Sequence, residues 1–154
     1  MNPLARTLIL AALRYLEGEI LHPYPDDAGI PTIGVGCTSY EDGRAVTLAD
    51  PPITEARSEA LLNYHVDKGA ARLQSLLGNA PTTPNQFVAL LVCGFNIGFS
   101  ALASSTILRK HIEQDYPAAA LAFALWNKVR KNGKLVSSKG LTNRRAYEEK
   151  IYTS

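Results

Sequence analysis

Cysteine is scarce in this chain: Cys37 and Cys93 are the only two among 154 residues. Two are too few for a disulfide-stapled scaffold, and they stand at no zinc-binding spacing. Cys93 lies inside the apolar run Phe87–Phe95 and reads as a small core residue. Long hydrophobic runs are missing near the start, where the longest is Leu8–Leu13, between Arg6 and Arg14. A membrane span needs about 20 such residues. No secretory cleavage pattern accompanies it, so the chain is expected to stay in the cytoplasm of the cell that makes it. The three histidines, His22, His65 and His111, have no ligand spacing with one another or with the cysteines, so neither a metal nor a cofactor is expected. Repeats and linkers are absent. With 46 % hydrophobic and 19 % charged residues the composition is that of one ordinary folded domain, not a disordered chain, a collagen or a coiled-coil rod.

Sixteen basic and fourteen acidic side chains leave a net charge of only +2, but they are unevenly placed. Residues 1–60 hold four basic and nine acidic groups, and residues 126–154 hold eight and two. A basic end attracts an anionic polymer: nucleic acid, anionic lipid and bacterial envelope polymers all qualify. A solvated basic helix with loops fits the same charge. No nucleic-acid motif accompanies it, so nucleic acid is not an expected partner.

Leu4, Leu8, Ala11, Ala12, Tyr15 and Leu16 recur at helical spacing, and Pro3–Glu17 is predicted as an amphipathic helix stopped by Gly18. Residues 18–52 are rich in Pro and Gly. They hold two β-prone pieces, Thr32–Val35 and Arg44–Leu48, separated by the turn signal Glu41-Asp42-Gly43, which predicts a small antiparallel sheet. After Pro52 the pattern is helical almost throughout. Thr54 can cap a helix to about Leu77, with Gly69 the candidate break. Thr83-Pro84-Asn85-Gln86 carries a cap, a proline at the first helical position and a capping-box Gln, opening an almost wholly apolar helix that Gly98 ends. Further helices are predicted over Ala101–His111, Tyr116–Val129 and Thr142–Tyr152, with residues 130–140 an exposed loop. The class is α+β, mainly helical, with a small antiparallel sheet.

The chemistry is concentrated between Glu17 and Thr38. Glu17 ends a helix, Asp26 follows nine residues later, and Thr32 six after that, on a glycine-rich segment. Two carboxylates held on different elements suit glycosidic hydrolysis, where one carboxylic acid protonates the leaving oxygen and another group handles the water. Residue chemistry alone selects Glu17 and Asp26, but not Thr32.

Glu17-Gly18, Tyr24, Asp26, Gly29 and Thr32-Ile33-Gly34-Val35-Gly36 meet every fixed position of the pattern E-G-x(5)-Y-x-D-x-x-G-x-x-T-I-G-x-G. The segment resembles the active-site signature of the phage T4-type lysozymes, glycoside hydrolase family 24. Asn85-Gln86, Phe95-Asn96-Ile97-Gly98, Ser105-Thr106, Leu108-Arg109, Trp126, Gly140-Leu141, Arg144-Arg145 and Glu148 look like the family's later landmarks, so the resemblance spans nearly the whole chain. It implies a single lysozyme-like catalytic domain over 1–154. A small α/β lobe would cover about 18–53 and a helical lobe about 1–17 and 54–154, with the active-site cleft between them. Implied roles are Glu17 as general acid, with Asp26 and Thr32 activating the attacking water. Thr38, Phe95 and Asn96 are the implied substrate-binding residues, although Phe95 reads equally as core and Asn96 as a helix-end cap. Trp126 reads as core before it reads as a sugar platform. Either Arg144 or Arg145 fills the place of an arginine that pairs with the catalytic glutamate in the family; a surface ion pair with Glu148 or Glu149 is the other reading. Cys37 stands where many relatives carry histidine.

The implied function is a phage endolysin, a muramidase that hydrolyses the β-1,4 bond between N-acetylmuramic acid and N-acetylglucosamine with inversion. Bacterial peptidoglycan is the implied partner. The chain is expected to be a monomer with no stable membrane insertion. It would accumulate in the host cytoplasm and depend on a holin to reach the wall. Two alternatives compete: a lytic transglycosylase acting on the same bond, and a non-catalytic peptidoglycan-binding module. Neither needs the full Glu-Asp-Thr trio.

Overall fold

Local signals start and stop most of the helices in the computed structural model, which describes residues 1–154. Helix α1 (Pro3–Glu17) begins where Asn2 Oδ1 accepts the Ala5 N–H at 2.7 Å, and it buries Ala5, Ile9, Ala12 and Leu13 along one stripe. It ends as predicted: Gly18, at φ +70°, donates its N–H to Arg14 O. Contacts group the chain into two compact units, Thr7–Lys68 and Met1–Arg6 with Gly69–Ser154.

The first unit holds the sheet. Strand β1 (Ile20–Pro25) pairs antiparallel with β2 (Pro31–Gly34), matching Ile20 to Gly34 and Tyr24 to Thr32. The strand expected over Thr32–Val35 is therefore present one residue earlier, but its partner is not Arg44–Leu48. That piece makes only a single bridge, Ser39 to Ala45. Asp50 accounts for this, since its carboxylate accepts from Thr47 N, Thr47 Oγ1 and Arg44 and ties the segment into a turn. The prolines at 23 and 25 obscured the true partner strand, yet both strands of a two-stranded sheet are edges, where proline is tolerated. Behind the sheet Ile33, Cys37, Val46 and Leu61 form a buried cluster flanked by Tyr40 and Ile53. Leu61 comes from α2 (Glu55–Leu77), which Thr54 Oγ1 caps through the Arg57 N–H.

Gly69 does not break α2. A Cβ there would lie 3.0 Å from Phe95 Cε2 and from Phe99 Cζ, so the glycine makes room for two rings rather than for a bend.

The second unit is built around α3 (Pro84–Ile97). The predicted capping box is complete: Thr83 Oγ1 accepts from Gln86 N while Gln86 Oε1 accepts from Thr83 N. Val88 through Cys93 are fully buried. The helix expected over Ala101–His111 is two helices, α4 (Phe99–Ala103) and α5 (Thr106–Ile112). Ser105 divides them, its hydroxyl donating to Leu102 O and accepting from Leu108 N. Helix α6 (Tyr116–Ala122) runs into a short 3-10 turn at Phe123–Leu125 and stops well before Val129. In place of the expected loop there is a hairpin of β3 (Lys128–Lys131) and β4 (Lys134–Ser137). Asn132 and Gly133, both at positive φ, make its two-residue turn, and that Asn-Gly pair was the available signal. Helix α7 (Lys139–Tyr152), capped by Ser138, packs on α3.

Candidate active site

Glu17 is placed by the end of α1 and by the space that Gly36 leaves. A Cβ on Gly36 would stand 3.1 Å from Glu17 Cγ and 3.2 Å from its carboxyl carbon and Oε2. Gly36 also sits at φ +66°, where side chains are strained. One residue therefore carries both demands: a left-handed turn and a close approach to the carboxylate.

Asp26 closes β1 and braces the turn into β2. Its N–H donates to Ile30 O and its carbonyl accepts from Gly29 N, while Oδ1 accepts from Ala28 N at 2.9 Å and Ile30 N at 2.8 Å. Oδ2 takes no part in this bracing. Asp27 is exposed within the turn.

Thr32 lies opposite Tyr24 in the register, so the two side chains share one face of the sheet. Thr32 is 3 % exposed, and its hydroxyl donates to Ile30 O at 2.9 Å. A threonine has one proton to give, so with that proton engaged Oγ1 is left as an acceptor. Burial, then the charges of Glu17 and Asp26, push the Tyr24 phenol above its ordinary value. Tyr24 is thus a neutral hydroxyl in the field of both carboxylates.

Cys37 belongs to the buried cluster behind the sheet. Burial first, and the Glu17 charge second, push its thiol up to about 12, and Sγ donates to Val35 O at 3.6 Å. A thiol so held is no nucleophile near neutral pH. Thr38 follows it, with an exposed side chain and a carbonyl that accepts from Val46 N.

The remaining sequence-predicted residues belong to the other unit, at the last turn of α3. Phe95 is half-buried, edge-on to Phe99 at 6.0 Å. Asn96 Oδ1 accepts from Arg145 at 2.9 Å, which leaves its amide N–H groups as donors. Arg145 is 1 % exposed and also donates to Glu148 Oε1 at 2.8 Å, where Arg144 Nε donates at 3.3 Å. Glu148 is fully buried, and that burial raises its carboxyl against the pull of both guanidinium groups. The alternative reading, an ion pair with Glu148, is therefore present, but it is buried and not at the surface. Its signal was the Arg-Arg-x-x-Glu spacing, which puts both arginines one helical turn from the acid. Trp126 is half-buried at the end of the 3-10 turn. No group of three or more His, Cys, Asp or Glu side chains is arranged to hold a metal ion.

Residues 14–148 match the phage lysozyme family, a span that includes the whole of the Glu17–Gly36 pattern and both arginines. The endolysin of Salmonella phage P22 is 42 % identical over 123 residues, covering 80 % of this chain and 83 % of that protein. Among solved structures, the endolysin from Escherichia coli O157:H7 phage FAHEc1 superposes with a TM-score of 0.86 at 39 % identity, over 94 % of this chain and 90 % of that chain. The muramidase domain of SpmX from Asticaccaulis excentricus gives a TM-score of 0.81 at 27 % identity, over 97 % of this chain and 96 % of that one. The fold is lysozyme-like and α+β in class. The chain belongs to the phage lysozyme family.

Proposed function

We propose that the chain is a peptidoglycan-degrading endolysin, a glycoside hydrolase that cuts the β-1,4 bond between N-acetylmuramic acid and N-acetylglucosamine with inversion. The observation that carries this reading is the complete Glu17–Gly36 pattern, in which Gly36 clears the space beside the Glu17 carboxylate. In this reading the whole chain, 1–154, is a single catalytic domain.

Glu17, protonated, gives its proton to the glycosidic oxygen as the bond to the anomeric carbon breaks. A water on the opposite face of the sugar forms the new bond to that carbon and passes its proton to Asp26. Such a water needs two acceptors for its hydrogens and a lone pair free for attack. Thr32 supports this role because its own proton is held by Ile30 O, so Oγ1 faces a ligand only as an acceptor. Asp26 supports it because Oδ1 is held by two backbone N–H groups while Oδ2 is outside that bracing. The amide of Asn96, steadied by Arg145, suits donation to N-acetyl or hydroxyl oxygens. Phe95 and Thr38 are assigned to sugar contact in the same reading. Release from the host cytoplasm through a holin, and action as a monomer, belong to this proposal.

The test is mass spectrometry of fragments released from purified Gram-negative peptidoglycan, wild type beside Glu17→Gln. Reducing muramic ends from the wild type, reduced at least about 10²-fold in the variant, are expected, since general acid catalysis contributes about 10²–10⁴-fold. Anhydro ends would make the enzyme a transglycosylase and remove the water-handling role of Asp26 and Thr32. Retained glycan binding with no fragments from either protein would leave a binding module.

A further inference from the structure

Between Asp115 and Glu148 the chain has no acidic residue, while it carries Lys128, Arg130, Lys131, Lys134, Lys139, Arg144 and Arg145. The two arginines are spent on Glu148 and Asn96. The other five cations stand on or directly after the β3–β4 hairpin, all exposed, and none forms an ion pair. Lys128 reaches only Ser137 Oγ, at 2.7 Å, and Arg130 only Gly133 O, at 3.1 Å. The register also sets Lys131 directly opposite Lys134 beside the turn, a like-charge pair that works against the hairpin. No carboxylate of the fold neutralises this charge.

Aliphatic side chains are exposed among the cations. Leu135 is 63 % exposed and Val136 37 % exposed. The register pairs Leu135 with Arg130 and Val136 with Val129, so positive and aliphatic groups share faces of the same ribbon. Leu121 and Leu125, shortly before the hairpin, are exposed as well. No aromatic residue occurs between 127 and 146. The surface therefore offers no ring on which an unpaired base could stack. Cations interleaved with exposed aliphatics match a phosphate layer over hydrocarbon.

We propose that the β3–β4 hairpin docks the protein peripherally on an anionic phospholipid membrane, with Lys128 and Arg130 at the headgroup phosphates and Leu135, on the same face of the ribbon, at the acyl boundary. The proposal goes beyond the muramidase reading and does not depend on it. No helix of the chain is long and apolar enough to cross a membrane, and this contact requires none.

The test is co-sedimentation of the full chain with vesicles of phosphatidylcholine, with and without phosphatidylglycerol. Binding only to the anionic vesicles, weakening with salt, is expected. Each cation removed should weaken binding by about fivefold. The combined Lys128→Gln and Arg130→Gln variant should therefore lose roughly 25-fold, and more than the Lys131→Gln and Lys134→Gln pair on the opposite face. Leu135→Ser should weaken binding severalfold while keeping the salt dependence. All these positions are exposed, so thermal stability and the hydrolysis of purified peptidoglycan should stay near wild type. Equal binding to both kinds of vesicle, or full binding by the Lys128→Gln and Arg130→Gln variant, overturns the proposal. So does preference for purified peptidoglycan or duplex DNA with anionic vesicles left unbound.

Discussion

At position 36 a missing side chain leaves room for a carboxylate. Gly36→Ala would strain a backbone at φ +66° and set a methyl group 3.1 Å from Glu17 Cγ. The backbone strain costs about 1–2 kcal/mol, whereas an active-site group displaced by about 1 Å can cost on the order of 10²-fold in rate. The variant should therefore lose far more activity than stability, read by peptidoglycan turbidity beside thermal unfolding; near-normal activity would show that the carboxylate is not moved. His111 is a second residue whose surroundings set its behaviour. Thr82 Oγ1 donates to Ala80 O, so it accepts from His111 Nε2 at 2.8 Å; Nδ1 then accepts from the Tyr152 hydroxyl at 2.6 Å. Burial holds this imidazole below its ordinary pKa, as a neutral ring. The unfolded chain takes up the proton first as the pH falls, so the stability due to this residue is whole above about 6.5 and drains below it. Thermal unfolding between about pH 7 and pH 5 should show the gap between wild type and His111→Gln narrowing on acidification. A constant gap would mean that the buried ring does not set this pH dependence. Glu17, Asp26 and Thr32 could be picked out because a dense ordered pattern holds them within 16 residues. The Arg145–Asn96 contact could not, since 49 residues separate the pair and only the packing of α7 on α3 joins them.

Whole elements depend on what neighbouring rings require. The Phe99 ring lies over two glycines: a Cβ at Gly94 would approach Phe99 Cε1 to 2.6 Å, and one at Gly69 would approach Cζ to 3.0 Å. In an isolated helix Gly69→Ala would gain about 1 kcal/mol of propensity. Here overpacking costs about 1–3 kcal/mol, and the net effect should be a lowered melting temperature. Phe99→Leu in the same chain should recover part of the loss; additive losses would show that the ring is not what meets the new methyl group. The same logic separates what could be read in the chain from what could not. Helices α1 and α3 carry their own caps, so their bounds follow from local sequence. The long segments 101–111 and 116–129 have helical composition throughout, and only Ser105's hydroxyl and the Asn132-Gly133 turn divide or end them. Strand β1 was hidden because proline argues against a strand except at an edge, and edge status is a property of the sheet.

Over the whole molecule, a net charge of +2 averages two opposed populations. Residues 7–68 hold four basic and ten acidic groups, and the remainder holds twelve basic and four acidic. A surface so divided binds by its local field rather than by its average. The protein should therefore be retained on a cation exchanger at a pH just above the isoelectric point of about 8.6 that its composition gives, where a uniformly charged protein would flow through. Flow-through would mean that the average governs.

The order in which the elements are made gives the α3–α7 packing a further consequence. Helix α3 is the most apolar helix and announces its own start, yet α7, which packs on it, begins only at Lys139, after α4, α5, α6 and the β3–β4 hairpin. A growing chain therefore displays Val88–Cys93 without a complete α7 until the 59 residues from Gly94 to Tyr152 have been added. During that interval it is a client for chaperones and proteases. A stop codon anywhere ahead of Lys139 would then yield a chain that the cell clears, not a weakened enzyme.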